Sequence, residues 1–332
     1  VKTYFITGGE GFIGYHLSRE LVEDPENRIV IYDALKHYIP LDKSNWTAYL
    51  SYRTKTLNGQ QVIRIRGDMT DRGLLKETLE KYKPQIIFHL AALPIAYVCN
   101  DYPEEAKLNI LDSTLVLLDV LREVSFQLER LIYTSSSMVY GDFQRDGNGQ
   151  IIPAREDQEC QPIDLYGAMK LSGEHVLKAY ARRFSIPYTI IRPSAVYGPT
   201  DCNQRVTEIF LNNALKAKTL ELDQGGNHQL DFTYVKDLVK GFLLAASSQK
   251  AMNQTFNITR GEGKKIRELA EIVAQLIPGT QIREAQREVY RPNRGSLDIS
   301  KAKELLGYEP QYSLEEGMKE YLHFVQNGGF IK

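Results

Sequence analysis

The chain predicts an α/β fold: a doubly wound parallel sheet with a smaller mixed α/β lobe beside it. Three observations point there. An apolar strand, Lys2-Thr3-Tyr4-Phe5-Ile6-Thr7, runs straight into the glycine-spaced turn Gly8-Gly9-Glu10-Gly11-Phe12-Ile13-Gly14, which opens a helix. A second apolar strand, Arg28-Ile29-Val30-Ile31-Tyr32, ends in Asp33, nineteen residues after Gly14. Short apolar runs then alternate with helix-period segments through the first half, a rhythm that calls for parallel strands covered on both faces.

Each element follows in order. Gly8, Gly11 and Gly14 form a G-x-x-G-x-x-G, which lets a pyrophosphate approach bare backbone N–H groups at a helix start. A carboxylate at Asp33 accepts hydrogen bonds from an adenosine ribose and repels a 2′-phosphate. Together they predict a Rossmann-type site for NAD rather than NADP, with Lys36 and His37 as nearby cations that weigh the other way. Residues 36–59 form a long, polar, aromatic-rich connection holding Trp46, predicted to fold as a local helix or flap. Strands follow at 61–66, ending in Gly67-Asp68, and at 85–90, ending in Ala91-Ala92. Further strands are predicted at 130–134 and 188–192, with helices around 71–82, 104–123 and 164–183.

After Arg192 the rhythm changes. Residues 199–230 and 260–332 lack clean alternation and predict the smaller lobe. Between them, 231–235, a helix over 237–248 and a strand at 254–258 resemble a return to the sheet. The division is therefore 1–193 as the NAD-binding domain, completed by about 231–259, with 194–230 and 260–332 as the substrate lobe. A lobe interleaved in this way closes a cleft over the carboxyl ends of the strands, where open α/β sheets bind ligands.

Composition narrows the functional classes. The 332 residues are 42% hydrophobic and 25% charged, with a formal net charge of −1. That balance argues against nucleic acid or an anionic membrane as the main partner. No apolar run approaches a membrane span, and no signal peptide is seen. Cys99, Cys160 and Cys202 lie far apart, in no C-x-x-C spacing, which suits a reducing cytoplasm and offers no metal site.

Tyr166-Gly167-Ala168-Met169-Lys170 places a phenol and an ammonium on one helix face. Positive charge beside a tyrosine favours the phenolate and makes it a usable base. Surface Tyr–Lys pairs at this spacing are common, and a second occurs at Tyr32 and Lys36. The run Thr134-Ser135-Ser136-Ser137-Met138-Val139-Tyr140-Gly141, some thirty residues upstream, adds hydroxyls at a strand's carboxyl end that can bind a reacting carbinol. The plain alternative is a serine-rich turn bonded to its own backbone. Asn109 steadies the site through a backbone or water contact, or is an exposed helix asparagine.

With these motifs in order, the chain resembles the extended short-chain dehydrogenase/reductases, in their nucleotide-sugar epimerase and dehydratase group. The resemblance rests on the glycine turn, Asp33, Gly67-Asp68, His89-Leu90-Ala91-Ala92, the serine run and Tyr166 with Lys170. It extends through Arg192-Pro193, Tyr197-Gly198-Pro199, Asp231-Phe232-Thr233-Tyr234-Val235 and Asp298-Ile299-Ser300-Lys301-Ala302-Lys303, nearly end to end. It implies a cofactor site of Gly8, Gly11, Phe12, Ile13, Gly14, Asp33, Asp68, Met69, Leu90, Ala91, Ala92, Asn109, Tyr166, Lys170 and Pro193. Asp68 and Met69 are then at the adenine.

The resemblance implies catalysis by Ser136, Tyr166 and Lys170, with Ser136 on the sugar's 4-hydroxyl, Tyr166 as base and Lys170 tuning it. Sugar 4,6-dehydratases carry an acidic pair after the Ser136 position, where this chain has Ser137 and Met138. Decarboxylating relatives keep a glutamate at Met138, and 3,5-epimerases a cysteine. What remains is an NAD-dependent nucleotide-sugar 4-epimerase passing through a transient 4-keto sugar. A dehydrogenase, 4-keto reductase or decarboxylase of the same family is the alternative, and a non-catalytic NAD-sensing protein a remote one. Relatives often have an asparagine at Ala195 and an arginine at Leu230, near the substrate diphosphate. With both lost, Arg205 and Arg291 are the phosphate or carboxylate clamps, beside Ser136, Ser137 and Tyr166 in the substrate site, or else are ordinary solvated surface arginines. Glu10 is expected to face solvent, and homodimerisation through helices near 104–123 and 164–183 is implied.

Overall fold

The inner strands of the sheet are mainly apolar and buried on both faces, so the sheet lies in the middle of the molecule. The computed structural model describes residues 1–40, 44–286 and 292–328. In chain order the first part runs β1 (Lys2–Thr7), α1 (Phe12–Leu21), β2 (Asn27–Asp33), α2 (Trp46–Thr56), β3 (Val62–Arg66) and α3 (Arg72–Tyr82). It continues through β4 (Ile86–His89), α4 (Ala96–Asp101), α5 (Pro103–Ala106), α6 (Ser113–Leu121), β5 (Arg130–Thr134), α7 (Leu165–Phe184) and β6 (Tyr188–Arg192). The second part adds β7 (Val196–Tyr197), α8 (Val206–Leu215), β8 (Leu220–Asp223), β9 (Gln229–Asp231), β10 (Thr233–Tyr234), α9 (Val235–Ser247) and β11 (Gln254–Asn257). It closes with β12 (Gly263–Lys265), α10 (Ile266–Leu276), β13 (Ile282–Ala285), α11 (Ser300–Leu306) and α12 (Leu314–Asn327).

Seven parallel strands make the central sheet, in the order β11-β6-β5-β4-β1-β2-β3. The order reverses at β1 and β4, and there the carboxyl ends open a crevice. Ile6, Ile31, Phe88 and Ile132 face one way and join α1, α9 and α11 in one core. Phe5, Val30, Ile87 and Leu131 face the other way and join α3, α6 and α7. The smaller lobe has its own core, in which α8, α10 and α12 pack around Leu220, Leu222, Phe232 and Tyr321. Apolar residues Ile266, Leu269, Ala270 and Val273 make one stripe of α10. Ser313 and Glu316 cap α12 reciprocally, each accepting the other's backbone N–H.

Two expectations change. Residues 231–235 do not rejoin the central sheet: β9 pairs antiparallel with β12 and β10 pairs parallel with β7, while α9 and β11 do return. The reason is Asp231, whose buried carboxylate gathers Thr259 Oγ1, Gly261 N and Leu297 N and so holds the segment in the lobe. The helix expected at 104–123 is interrupted. Pro103 starts α5, a π-helical turn spans Lys107–Asp112, and only then does α6 begin. Such wide turns recur at functional sites, and this one contains Asn109. Among the described residues, no helix is long and apolar enough to cross a membrane.

Candidate active site

The crevice begins at the glycine turn. Gly8 takes φ of +69°, and Gly11 N donates to Gly8 O at 3.0 Å, so the backbone folds back before α1 starts. A Cβ at Gly8 would lie 2.8 Å from Ala91 N, and one at Gly14 would lie 2.6 Å from the Gly9 Cα. Glycine alone lets turn and helix come this close. No side chain caps the first turn of α1, and that turn carries no acid. Its free N–H groups and positive dipole end therefore remain for an anion. Asp33 Oδ2 accepts from Glu10 N at 3.0 Å and Oδ1 from Leu35 N at 2.7 Å, which aims the carboxylate along the crevice wall. Burial raises the Asp33 pKa, against these two backbone bonds.

Most of the predicted cofactor set gathers there, though Tyr166 and Lys170 are not part of the lining. Phe12, Ile13, Asp68 and Met69 line the cavity, with Leu90, Ala91, Ala92 and Asn109 across from them. Thr7 Oγ1 accepts from Leu90 N and Ala91 N, both at 3.1 Å, and holds the Ala91-Ala92 turn in place. Pro193 is not part of this lining; its carbonyl instead accepts from Ser137 N at 2.9 Å. Lys36, left outside the predicted set, spans the opening: its Nζ meets Asp68 Oδ2 at 2.8 Å and Asn109 Oδ1 at 3.0 Å. Burial acts against charge on Asp68, but the Lys36 bond and two from Thr70 prevail and hold its pKa at about 2. Glu10 does not face solvent. It is buried and paired with Arg64 Nε of β3 at 2.6 Å. Arg53 of α2, also buried, reaches from the flap to Glu10 O at 2.9 Å and to the Thr200 carbonyl in the lobe.

The second group meets at the carboxyl end of β5. Ser136 caps the short turn Ser137–Tyr140, its Oγ accepting from Met138 N at 3.1 Å, so the plain reading of the serine run holds for that bond. The same hydroxyl lies close enough to the Tyr166 phenol to favour its ionised form. Gly167 makes that approach possible, since a Cβ there would stand 2.5 Å from Met138 O. Lys170 Nζ donates to Thr134 O at 2.7 Å and lies 6.0 Å from the Tyr166 ring centre. Burial lowers Lys170 to about 8. Burial likewise raises the Tyr166 phenol to about 12, opposed by the Arg205 charge and the Ser136 hydroxyl. Arg205 thus acts on the phenol more than Lys170 does, from its seat on Val196 O at 2.9 Å and Asp201 Oδ2 at 3.8 Å.

Two further residues belong to this group, and sequence reasoning missed both. Glu174 continues the Tyr166–Lys170 stripe of α7 by one more turn. It is fully buried and binds Arg192 Nε and Nη2 at 2.8 and 2.7 Å, with Ser135 Oγ at 2.6 Å. The four-residue spacing was its signal. Arg294 reaches Ser137 Oγ at 2.5 Å and Ser194 Oγ at 2.8 Å, and nothing local announced it. Arg291, the other predicted clamp, lies outside the described residues. Ala195 keeps φ of +37°, a backbone shape that suits asparagine or glycine better.

Comparison with known proteins gives the chain a family and a fold. The model of the NAD dependent epimerase/dehydratase family matches residues 4–259. An uncharacterised UDP-glucose epimerase of Bacillus subtilis is 29% identical over 97% of this chain and 97% of its own length. The dTDP-L-rhamnose 4-epimerase of Burkholderia thailandensis is 28% identical, covering 96% of this chain and 93% of its own. The crystal structure of UDP-glucuronic acid 4-epimerase from Bacillus cereus, in complex with UDP-glucuronic acid and NAD, superposes with a TM-score of 0.87 at 26% identity, covering 98% and 99% of the two chains.

Proposed function

The chain belongs to the NAD-dependent epimerase/dehydratase family, and from that premise we propose that it is a nucleotide-sugar 4-epimerase. The observation that carries this reading is the meeting of Ser136, Tyr166 and Lys170 beside a crevice whose glycines leave room only for bare backbone. The crevice fits a dinucleotide: Gly8, Gly11 and Gly14 with the α1 N-terminus would hold the pyrophosphate, Asp33 the adenosine ribose, and Asp68 with Met69 the adenine. When bound, NAD supplies the acceptor and then the donor of hydride at the sugar's C4.

The protein's own groups handle the proton and the geometry. Ser136 fixes the 4-hydroxyl, and Tyr166 takes its proton to leave a 4-keto sugar, then returns it to the oxygen once the other face has reacted. Lys170 adds positive charge behind the phenol while its Nζ stays tied to Thr134 O. Simple inversion is favoured over elimination because Ser137 and Met138 offer no acid or base of their own. The nucleotide diphosphate is assigned to the smaller lobe, formed by 194–230 and 260–332, with Arg205 as its clamp. Residues 1–193, completed by 231–259, hold the dinucleotide.

We also assign a cytoplasmic setting, a place in carbohydrate biosynthesis and a homodimer. The exposed Tyr97, Tyr102 and Leu108 on and beside α4–α5 support an interface there. The test is a panel of UDP-, GDP-, CDP- and dTDP-sugars followed by NMR. One sugar is inverted at C4, with no net growth of NADH absorbance. Stoichiometric NADH growth would instead make the protein a dehydrogenase. Tyr166→Phe lowers kcat by about two to four powers of ten while nucleotide-sugar affinity is retained.

A further inference from the structure

Arg294 sits where a charge is hard to keep. Its Nη2 donates to Ser137 Oγ and Ser194 Oγ, across the carboxyl ends of β5 and β6. The segment around it is fixed from both sides, Asn293 N on Asp142 Oδ1 at 2.6 Å and Leu297 N on Asp231 Oδ2 at 2.9 Å. The Nε is sealed from solvent and has no acceptor among the described residues. Burial pushes the Arg294 pKa down to about 10, against the charges of Asp231, Asp164 and Tyr166. Neither carboxylate is free to turn to it. Asp231 is held by Thr259, Gly261 and Leu297, and Asp164 caps α7 through Gly167 N at 2.7 Å. Of the other buried or half-buried arginines, Arg192, Arg64 and Arg205 are matched by Glu174, Glu10 and Asp201. Arg53 and Arg130, far from the phenol's end of the site, are held chiefly by backbone carbonyls.

A guanidinium taken partly out of water gains most from a counter-ion. Among the described residues Arg294 has none, although it lies beside the Tyr166 phenol, so it marks the place where an anion arrives. Its position says which one. On the 4-epimerase reading, on which this step rests, Ser136 holds the 4-hydroxyl, and Ser137 is the next residue. Arg294 therefore lies at the C4 end of the sugar ring, opposite C1 and its diphosphate. Of the carbons flanking C4, C3 carries only a hydroxyl, whereas C5 carries C6. We infer that Arg294 recognises a carboxylate at C6, so that the substrate is a nucleotide-linked uronic acid. Nη2 gives its two hydrogens to Ser137 and Ser194, which hold the guanidinium still and leave Nη1 to donate a charge-assisted bond to the carboxylate.

The NAD-loaded protein is titrated calorimetrically with UDP-glucuronate, UDP-glucose and UDP alone, or with the corresponding set for whichever base the sugar panel selects. The wild type binds the uronate at least about tenfold more tightly than the neutral sugar, as a charge-assisted pair requires. Arg294→Met removes that margin and leaves UDP binding within about twofold, while Arg294→Lys keeps part of it. Equal binding of the two sugars by the wild type overturns the inference. So does an Arg294→Met variant that keeps the margin, or one that weakens UDP as much as the uronate, which would make Arg294 a phosphate clamp. If Arg294→Met does not fold, the wild-type margin and the lysine variant decide. Inversion of a neutral sugar with no margin leaves the 4-epimerase reading standing without this inference. A margin with no inversion of any sugar does the reverse.

Discussion

Gly14 and Tyr166 show how differently single residues can be read. Gly14 was legible because its reason is local: the turn and helix it joins are adjacent in sequence, and spacing alone exposes them. Gly14→Ala puts a methyl 2.6 Å from the Gly9 Cα, so the purified variant carries at least about tenfold less cofactor, measured by release and absorbance, while its circular dichroism is preserved. Tyr166 and Lys170 were equally visible as a pair, but their states were not. The phenol is raised to about 12 by burial, and Lys170 is lowered to about 8. Lys170 is therefore charged below about pH 8 and loses its proton above it. The kcat profile falls on the alkaline side of that value, and Lys170→Met lowers kcat and removes the falling limb. Arg294 was illegible for the opposite reason, since its partner Ser137 stands 157 residues away and only the folded lobe brings them together.

At the scale of elements, α7 is the part that turns sequence into chemistry. Tyr166, Lys170 and Glu174 recur every four residues along it, and the last ties the stripe to β6 through Arg192. Removing the carboxylate leaves a buried guanidinium unpaired, so Glu174→Gln lowers unfolding free energy by about 3 kcal/mol in a urea titration. The inner strands β1, β2, β4, β5 and β6 were legible because each carries an apolar run and is mostly buried. Every strand of the central sheet was expected within a residue or two, whereas 231–235 was expected there and is not. Where periodicity misled, tertiary contacts had the last word. The pattern at 104–123 is helical throughout, yet the wide turn at Lys107–Asp112 presents Asn109 to Lys36. The pattern at 231–235 is strand-like, yet the lobe's donors captured Asp231 first.

For the whole molecule, two features join the sheet to the smaller lobe. One is His16 of α1, which meets Pro199 O at 2.8 Å. A second buried imidazole, His89 of β4, lies within the sheet domain between Thr7 and Thr114. Burial holds both imidazoles neutral, at about 4 and about 3. The unfolded chain takes up these protons near pH 6.5, so stability is complete above that pH and drains away as the solution is acidified toward 4. Each histidine contributes up to about 1.4 kcal/mol per pH unit to that loss, and urea midpoints between pH 7 and pH 4.5 follow it. The other join is Arg53, one guanidinium shared between the carbonyl of Glu10 in the nucleotide turn and that of Thr200 in the lobe. A single rivet through two plates transmits load both ways: whatever settles the glycine turn also tightens the sugar lobe's grip, and a slack lobe loosens the dinucleotide's seat.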